Sequence, residues 1–323
     1  MSIFQGIYAI LLNEYVEFKK NLGYKFKSAE STFFLFDQFT IENGETEIGI
    51  TKDLSDKWAI QRLNESENTC YKRVMYLRQF AAFLNESGYN SYIPKLPRVY
   101  RSTFTPYVFT KIEIEKILIT SEQLKIGSLM NSSCNAIPAI LRTLYGTGIR
   151  IGEAVSLKVK DVNFEESYFI IRNSKNGKDR MVPFTDSLLK VLKQYRSSLQ
   201  IIEDQENYFF VKANGGNCSA KVIYEWFRKV LWKAGISHGG KGNGPRLHDI
   251  RHTFSVHTMV IMAESGLDLY YSLPILSEYL GHQSLEATEK YVRLTSEMYP
   301  SLLHDVNNIC SYVFPEVMPN ETN

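Results

Sequence analysis

A short proline-rich and basic segment constrains the fold of this chain more than any other stretch. The segment SYIPKLPRVYRSTFTP contains three prolines and three basic residues but no acidic residue. Proline fixes φ and removes a backbone donor, so this composition resists helix and is typical of an interdomain linker. The 323 residues suffice for two domains with separate cores. We therefore expect a first domain with the linker at residues 1–104, a second at 105–296 and a tail at 297–323.

The first domain is predicted to consist of four helices. Apolar residues recur at spacings of three and four, which places them on one face of each helix. These residues are Tyr8, Leu11, Tyr15, Phe18 and Leu22 in the first helix, Ala29, Thr32, Phe36 and Phe39 in the second, Leu54 and Trp58 in a third that starts at Thr51, and Cys70, Val74, Leu77, Ala81 and Leu84 in the fourth.

Basic side chains and a tyrosine lie beside the apolar stripe of the fourth helix. An exposed face of this kind could follow DNA phosphates, and a solvated helix face is the alternative interpretation. The residues predicted to bind DNA are Lys72, Arg73, Tyr76 and Arg78.

The second domain is predicted to mix helices with a small sheet. Thr110 and Glu113 form a capping box that opens a helix. Strands are expected at 168–172 and 180–184, joined by the polar turn NSKNGKD, and helices at 186–199 and 220–234. The whole chain is therefore expected to be mostly α with a small β-sheet, an α+β fold.

Charge and cysteine content exclude several classes of protein. The net charge is only +2, so any DNA-binding surface has to come from local clustering. The four cysteines lack CxxC spacing, which argues against a disulfide framework or a zinc ribbon. No signal peptide and no apolar run of membrane-spanning length is present, so we expect a cytoplasmic protein without membrane contact.

Four short segments of the second domain carry residue types that suit phosphate chemistry. Each also has an ordinary interpretation: a surface ion pair, a solubilised turn or a packed histidine. The segments contain Arg150 and Glu153 in GTGIRIGEA, Lys175 in the strand-joining turn, His248 and Arg251 in HDIRHTF, and Gly281-His282 followed by Tyr291.

In this order, the segments resemble the tyrosine recombinase, or phage-integrase, family over about residues 110–295. The family pattern is an arginine in an R-x-x-E/D turn, a hairpin lysine, H-x-x-R, G-H and then a tyrosine. The resemblance implies a mixed α/β catalytic domain for the second half of the chain. The helical first hundred residues are similar to the family's DNA-clamping, core-binding domain in architecture alone.

The chemistry fits a metal-free and ATP-free cleavage of DNA. Attack on a phosphodiester builds negative charge, and Arg150 with Arg251 could neutralise it where no carboxylate cluster for a metal is evident. We therefore expect neither a metal nor another cofactor. His248 and His282 would add donors, and Glu153 would orient Arg150 or hold a histidine.

The resemblance also assigns the covalent and proton-transfer steps. Tyr291 would be the nucleophile that forms a 3′-phosphotyrosine. The resemblance implies His248 as the acceptor of the phenolic proton. Lys175 would protonate the leaving 5′ oxygen, although Lys178 lies close to it. The expected partner is double-stranded DNA with inverted-repeat core sites, bound by a tetramer of two dimers that acts through a Holliday junction, with accessory recombination proteins.

Other functions remain open at this point. A type IB topoisomerase or a telomere resolvase shares this chemistry, and a DNA-binding regulator without activity is a further alternative. A zinc hydrolase would use His248, His252 and His257, whose spacings fit one helix face poorly. The tail stripe of Leu302, Leu303, Val306 and Ile309 could pack on a neighbouring protomer or on its own domain. The target sequence, and whether the enzyme serves a transposon, phage, plasmid or chromosome, is not determined.

Overall fold

The computed structural model describes residues 4–98, 105–124, 132–172, 179–199, 204–239, 244–282, 284 and 286–299. The chain divides into two compact units, Met1–Phe104 and Thr105–Asn323. Helices dominate both units, and one three-stranded sheet lies in the second. The prediction of a mostly α chain with a small sheet is confirmed. Lys175 and the tail stripe from Leu302 to Ile309 lie outside the described residues.

The first unit contains all four predicted helices. Two of them begin at hydroxyl caps, where Thr51 accepts a hydrogen bond from the Leu54 amide and Ser66 from the Thr69 amide. The helices are α1 (Ala9–Asn21), α2 (Lys27–Glu42), α3 (Lys52–Ala59) and α4 (Glu67–Glu86).

The buried face of α1 differs in part from the predicted one. Leu11 and Tyr15 are buried as expected, but Phe18 and Leu22 are exposed and Leu12 is buried instead. A spacing of three and four fits two overlapping faces of one helix equally well, and the neighbouring helices decide between them. In α4, by contrast, every residue of the predicted stripe is buried.

The prediction that Arg73 lies on an exposed basic face is wrong. Its side chain is only 4% exposed and forms an ion pair with Glu65, with Nε and Nη2 each 2.9 Å from a carboxylate oxygen. Its other donors bind the backbone carbonyls of Trp58 and Ile60. Arg73 flanks the apolar stripe on the side where α3 packs, which explains its burial. The Glu65 carboxylate neutralises its charge there.

The other three residues of the predicted DNA-binding set have different environments. Lys72 and Arg78 are exposed. Tyr76 is partly buried, and its ring packs against Phe26 and Phe33. Whether these residues bind DNA remains a prediction.

The second unit contains both predicted strands and the helices predicted after Thr110, at 186–199 and at 220–234, together with elements that were not predicted. Among the unpredicted elements are β1 and α11; Pro274 inside α11 weakens the helical pattern there. The elements are α5 (Lys111–Glu122), α6 (Ile137–Thr147), α7 (Ile151–Ser156), β1 (Val162–Asn163), β2 (Tyr168–Ile171), β3 (Arg180–Pro183), α8 (Asp186–Ser197), α9 (Ala220–Lys233), α10 (Asp249–Glu264), α11 (Leu269–Leu280) and α12 (Glu286–Met298).

Local sequence explains where several of these elements begin. The capping box of Thr110 and Glu113 is present at the start of α5. The three strands pair antiparallel in the order β1-β2-β3, with Phe169 opposite Val182 on the buried face. Within the described residues, no helix is long and apolar enough to cross a bilayer.

Helix α10 organises the part of the second unit that carries the motifs. It lies against α6, α11 and α12. Val256 and Met259 of α10 share a core with Leu276 and Leu280 of α11 and with Leu294 of α12. This packing brings the start of α10, the end of α11 and one face of α12 close together, although they are separate in sequence.

The buried ion pair in the first unit predicts a difference between two neighbouring basic residues. Arg73→Met leaves the Glu65 carboxylate buried without its partner, which should lower the free energy of unfolding by about 3–5 kcal/mol. Lys72→Met, at an exposed position, should change it by no more than about 0.5 kcal/mol. Urea unfolding of the two variants measures the difference. Equal losses would contradict the structural role of Arg73.

Candidate active site

Arg251 joins three segments of the second unit. Its side chain is 3% exposed. Nη1 donates to the carbonyl of Gly148 at 2.7 Å, and Nη2 donates to the carbonyl of Leu280 at 2.8 Å and to Nε2 of His282 at 3.0 Å. The guanidinium therefore fixes the H-x-x-R motif against the turn before Arg150 and against the G-H motif.

Gly148 allows this close approach. It ends α6 with φ of +61°, a conformation that side-chain-bearing residues rarely adopt, and a Cβ there would collide with the ring of Phe254. The chain then becomes extended at Arg150, directly before α7. Burial and, next, the charge of Arg150 lower the pKa of Arg251 to about 10. The two guanidinium groups are thus close enough to repel each other.

Glu153 binds two arginines and, among the residues that the structure describes, no histidine. Its carboxylate accepts from the amide and from Nη1 of Arg150, both at 2.9 Å, and from Nη1 and Nη2 of Arg180 at 3.1 and 2.8 Å. Burial opposes ionisation of this carboxyl. The hydrogen bonds from Arg180 and Arg150 and their charges outweigh burial and lower the pKa of Glu153 to about 2.

His282 is held as a neutral imidazole. A guanidinium can only donate, so Nε2 of His282 accepts the bond from Arg251 and the ring proton sits on Nδ1. Nδ1 in turn lies 2.7 Å from the hydroxyl of Thr288 on α12. Burial and then the charge of Arg251 lower the pKa of His282 to about 3.

The phenol of Tyr291 lies inside this cluster. The side chain is 1% exposed, and its ring stacks on that of His282 with centroids 6.0 Å apart. Its hydroxyl is 3.2 Å from Nδ1 of His252. Burial raises the pKa of Tyr291, and the charge of Arg251 opposes that rise. The phenol is therefore protonated at neutral pH, beside the groups that could assist its ionisation.

His252, rather than His248, places a ring nitrogen within hydrogen-bond distance of the Tyr291 hydroxyl. His248 directly precedes α10 and is exposed, with its ring edge-on to His252 at a centroid distance of 4.8 Å. The sequence suggested His252 only as a zinc ligand. Among the residues that the structure describes, no group of three or more His, Cys, Asp or Glu side chains could hold a metal ion.

The structure thus gathers most of the motif residues and adds others that sequence reasoning missed. Arg180 was missed because a charged residue beside a polar turn suggests only solubility, yet it brings the base of the β2–β3 hairpin to Glu153. Thr288 carried no sequence signal. The predicted residues that lie together are Arg150, Glu153, His248, Arg251, His282 and Tyr291.

The neutral histidines predict how stability depends on pH. Burial and, next, the charge of His248 lower the pKa of His252 from its ordinary 6.5 to about 3. Between these values the ring binds a proton only after unfolding, so the free energy of unfolding falls as pH drops below 6.5 and stops falling near 3. His252→Asn should reduce the number of protons taken up on unfolding by about one. The slope of the free energy of unfolding against pH should then fall by ~1.4 kcal/mol per pH unit at pH 5. Urea unfolding from pH 5 to 7 measures the slope, and an unchanged slope would contradict the assignment.

The sequence comparisons identify relatives over most of the chain. The pattern of the phage integrase family matches residues 108–298. The Sinorhizobium fredii protein y4rB, which is named as an integrase/recombinase, is 30% identical over 303 residues, covering 89% of this chain and 93% of y4rB. The tyrosine recombinase XerA of Pyrococcus furiosus is 32% identical over 217 residues, covering 66% of this chain and 65% of XerA.

Solved structures share the fold at lower identity. The Tn1549 transposon integrase in complex with a circular intermediate DNA matches with a TM-score of 0.62 and 19% identity, over 87% of this chain and 93% of that one. The XerH recombinase bound to a palindromic difH substrate matches with a TM-score of 0.60 and 18% identity, over 88% of this chain and 78% of that one. The chain therefore belongs to the phage integrase family, and it is a tyrosine recombinase, an enzyme of site-specific recombination on DNA.

Proposed function

We propose that Tyr291 attacks a DNA phosphodiester and forms a 3′-phosphotyrosyl bond while the 5′ oxygen leaves as a hydroxyl. A second 5′ hydroxyl then attacks this linkage and releases the tyrosine, so the number of phosphoester bonds is conserved without ATP. The observation that carries the proposal is the stacking of Tyr291 on a histidine that Arg251 holds at 3.0 Å. A phenol, a guanidinium and an imidazole so arranged can surround one phosphate.

Arg150 and Arg251 neutralise the charge that develops on the non-bridging oxygens. Both are permanent cations that donate to phosphate oxygens. Arg150 is better placed to meet DNA, because its side chain is 24% exposed whereas Arg251 is buried. His248 and His282 supply further donors once the phosphate displaces their present contacts. No step of this scheme requires a metal ion.

The reaction requires Tyr291 to change its contacts. The phenol is enclosed and bound to His252, so DNA can reach it only when α12 or the segments around it move. His248, exposed at the start of α10, accepts the phenolic proton in this scheme. Lys175 protonates the departing 5′ oxygen, which is a poor leaving group as an alkoxide.

Duplex DNA with inverted-repeat core sites is the substrate, and two dimers assemble on it and exchange strands through a Holliday junction. The lambda integrase dimer, bound to a core site, and the XerH complex with a palindromic substrate support this proposal by their similar fold. In the first unit, Lys72 and Arg78 are exposed cations that can contact phosphates. Accessory recombination proteins complete the assembly.

Replacement of the nucleophile tests the covalent step. Tyr291→Phe removes the attacking oxygen and should abolish covalent protein–DNA adducts on a nicked suicide substrate while DNA binding persists. Denaturing electrophoresis detects the adduct. Tyr271→Phe, at an exposed position on α11, is the matched control and should form adducts normally. Adducts with Tyr291→Phe would assign the nucleophile to another tyrosine.

A leaving-group substitution tests the general acid. Lys175→Ala should slow cleavage of an ordinary strand by roughly 10²-fold or more, because general acid–base catalysis contributes about 10²–10⁴. A 5′-bridging phosphorothiolate, whose thiolate leaves without protonation, should restore the rate. Lys178→Ala serves as the control and should need no such rescue. Rescue of Lys178→Ala alone would move the general acid to that residue.

A further inference from the structure

A carboxylate inside the protein competes with the DNA phosphate for the guanidinium of Arg150. Glu153 lies one helical turn away, and its Oε1 is 2.9 Å from Nη1 of Arg150. Among the described residues, this carboxylate is the acceptor that Arg150 binds. A carboxylate paired with one guanidinium would cancel the charge on which the proposed chemistry depends.

Arg180 occupies the other side of the same carboxylate. Its Nη1 and Nη2 reach both oxygens of Glu153, at 3.1 and 2.8 Å, in a bidentate pair. Its side chain is 11% exposed, so little water screens the contact. Arg150 is left with a single side-chain bond to the carboxylate, through Nη1. Two guanidinium groups and one carboxylate together keep a net charge of +1.

Arg180 also ties the carboxylate to the G-H motif. Its Nε donates to the carbonyl of Tyr279 at 3.2 Å, near the end of α11. Gly281 has φ of +64°, and a Cβ there would lie 3.1 Å from Cδ and 3.2 Å from Cζ of Arg180. The glycine of this motif therefore leaves room for the Arg180 side chain to cross it.

We propose that Arg180 is a positioning residue for the recombination reaction: it takes up the charge of Glu153 so that Arg150 keeps its own charge and its remaining donors for the scissile phosphate. This inference rests on the proposed function, because it concerns the phosphate bound by Arg150. Arg180 does not touch DNA in this scheme. It acts through Glu153 and, by its bond to Tyr279, holds the segment that leads to His282.

Single-turnover cleavage of a nicked suicide substrate at saturating protein tests the inference. Arg180→Met should slow covalent-adduct formation by about tenfold to a hundredfold, less than or comparable to the loss of a direct oxyanion donor. The Kd for the same DNA should stay within about threefold, since few of the many phosphate contacts are affected. Arg172→Met is the matched control: it removes an arginine directly after the other strand of the hairpin, where the partners are Asp161 and Asp179.

A second substitution separates the charge effect from simple disruption. In Glu153→Gln/Arg180→Met the competing carboxylate is gone, so this double variant should cleave faster than Arg180→Met by about fivefold or more, a coupling that independent effects would not give. Arg180→Lys keeps the charge and should cleave faster than Arg180→Met. If the methionine variant does not fold, the neutral Arg180→Gln takes its place, and its rate is expected to be below that of the unaltered protein.

The outcomes distinguish this inference from the proposed function. If the unaltered protein forms no adduct on the substrate, both are overturned. If it forms the adduct and Arg180→Met or Arg180→Gln cleaves as fast as the unaltered protein, the inference alone is overturned. A double variant no faster than Arg180→Met also overturns it, because the effect of Arg180 would then not depend on the charge of Glu153.

Discussion

The crowding of like charges around one turn is the constraint on which the second unit depends. Burial and the charge of Arg150 together lower the pKa of Arg251 to about 10, so placing these guanidinium groups together costs free energy. The backbone carbonyls of Gly148 and Leu280 and the carboxylate of Glu153 offset this cost. Because these acceptors come from distant segments, they reach the guanidinium groups only when α6, α10 and α11 are packed together.

The site combines arginines that are permanently charged with histidines that are neutral. The arginines stay cationic at any physiological pH. Burial and, after it, coulombic repulsion from neighbouring groups that include Arg251 keep His282 and His252 neutral, with pKa values of about 3. A neutral imidazole can accept a proton from a phenol, whereas a guanidinium cannot. The charge of Arg251 that would bind a phosphate therefore adds to burial in keeping the two histidines neutral.

The first unit shows why a pattern of charges does not by itself define a binding surface. Arg73 and Lys72 are adjacent in sequence, but Arg73 faces α3 and pairs with Glu65, while Lys72 faces solvent. One residue of rotation on a helix is about 100°, enough to move a side chain from the surface to an interface. The ring of Trp58, 4.8 Å from the Arg73 guanidinium, completes that interface.

The sequence alone determined most of the elements and the family, because helix periodicity, the capping box at Thr110 and the strand-turn-strand pattern are local, and because the order of the motifs is specific. The tertiary structure decided the hydrogen-bond partners of the site residues. Glu153 meets Arg180 from 27 residues away and Arg251 meets Gly148 from 103 residues away. It also brought His252 rather than His248 to the phenol of Tyr291. Periodicity records which face of an element is buried, but it carries no information about which distant side chain covers that face.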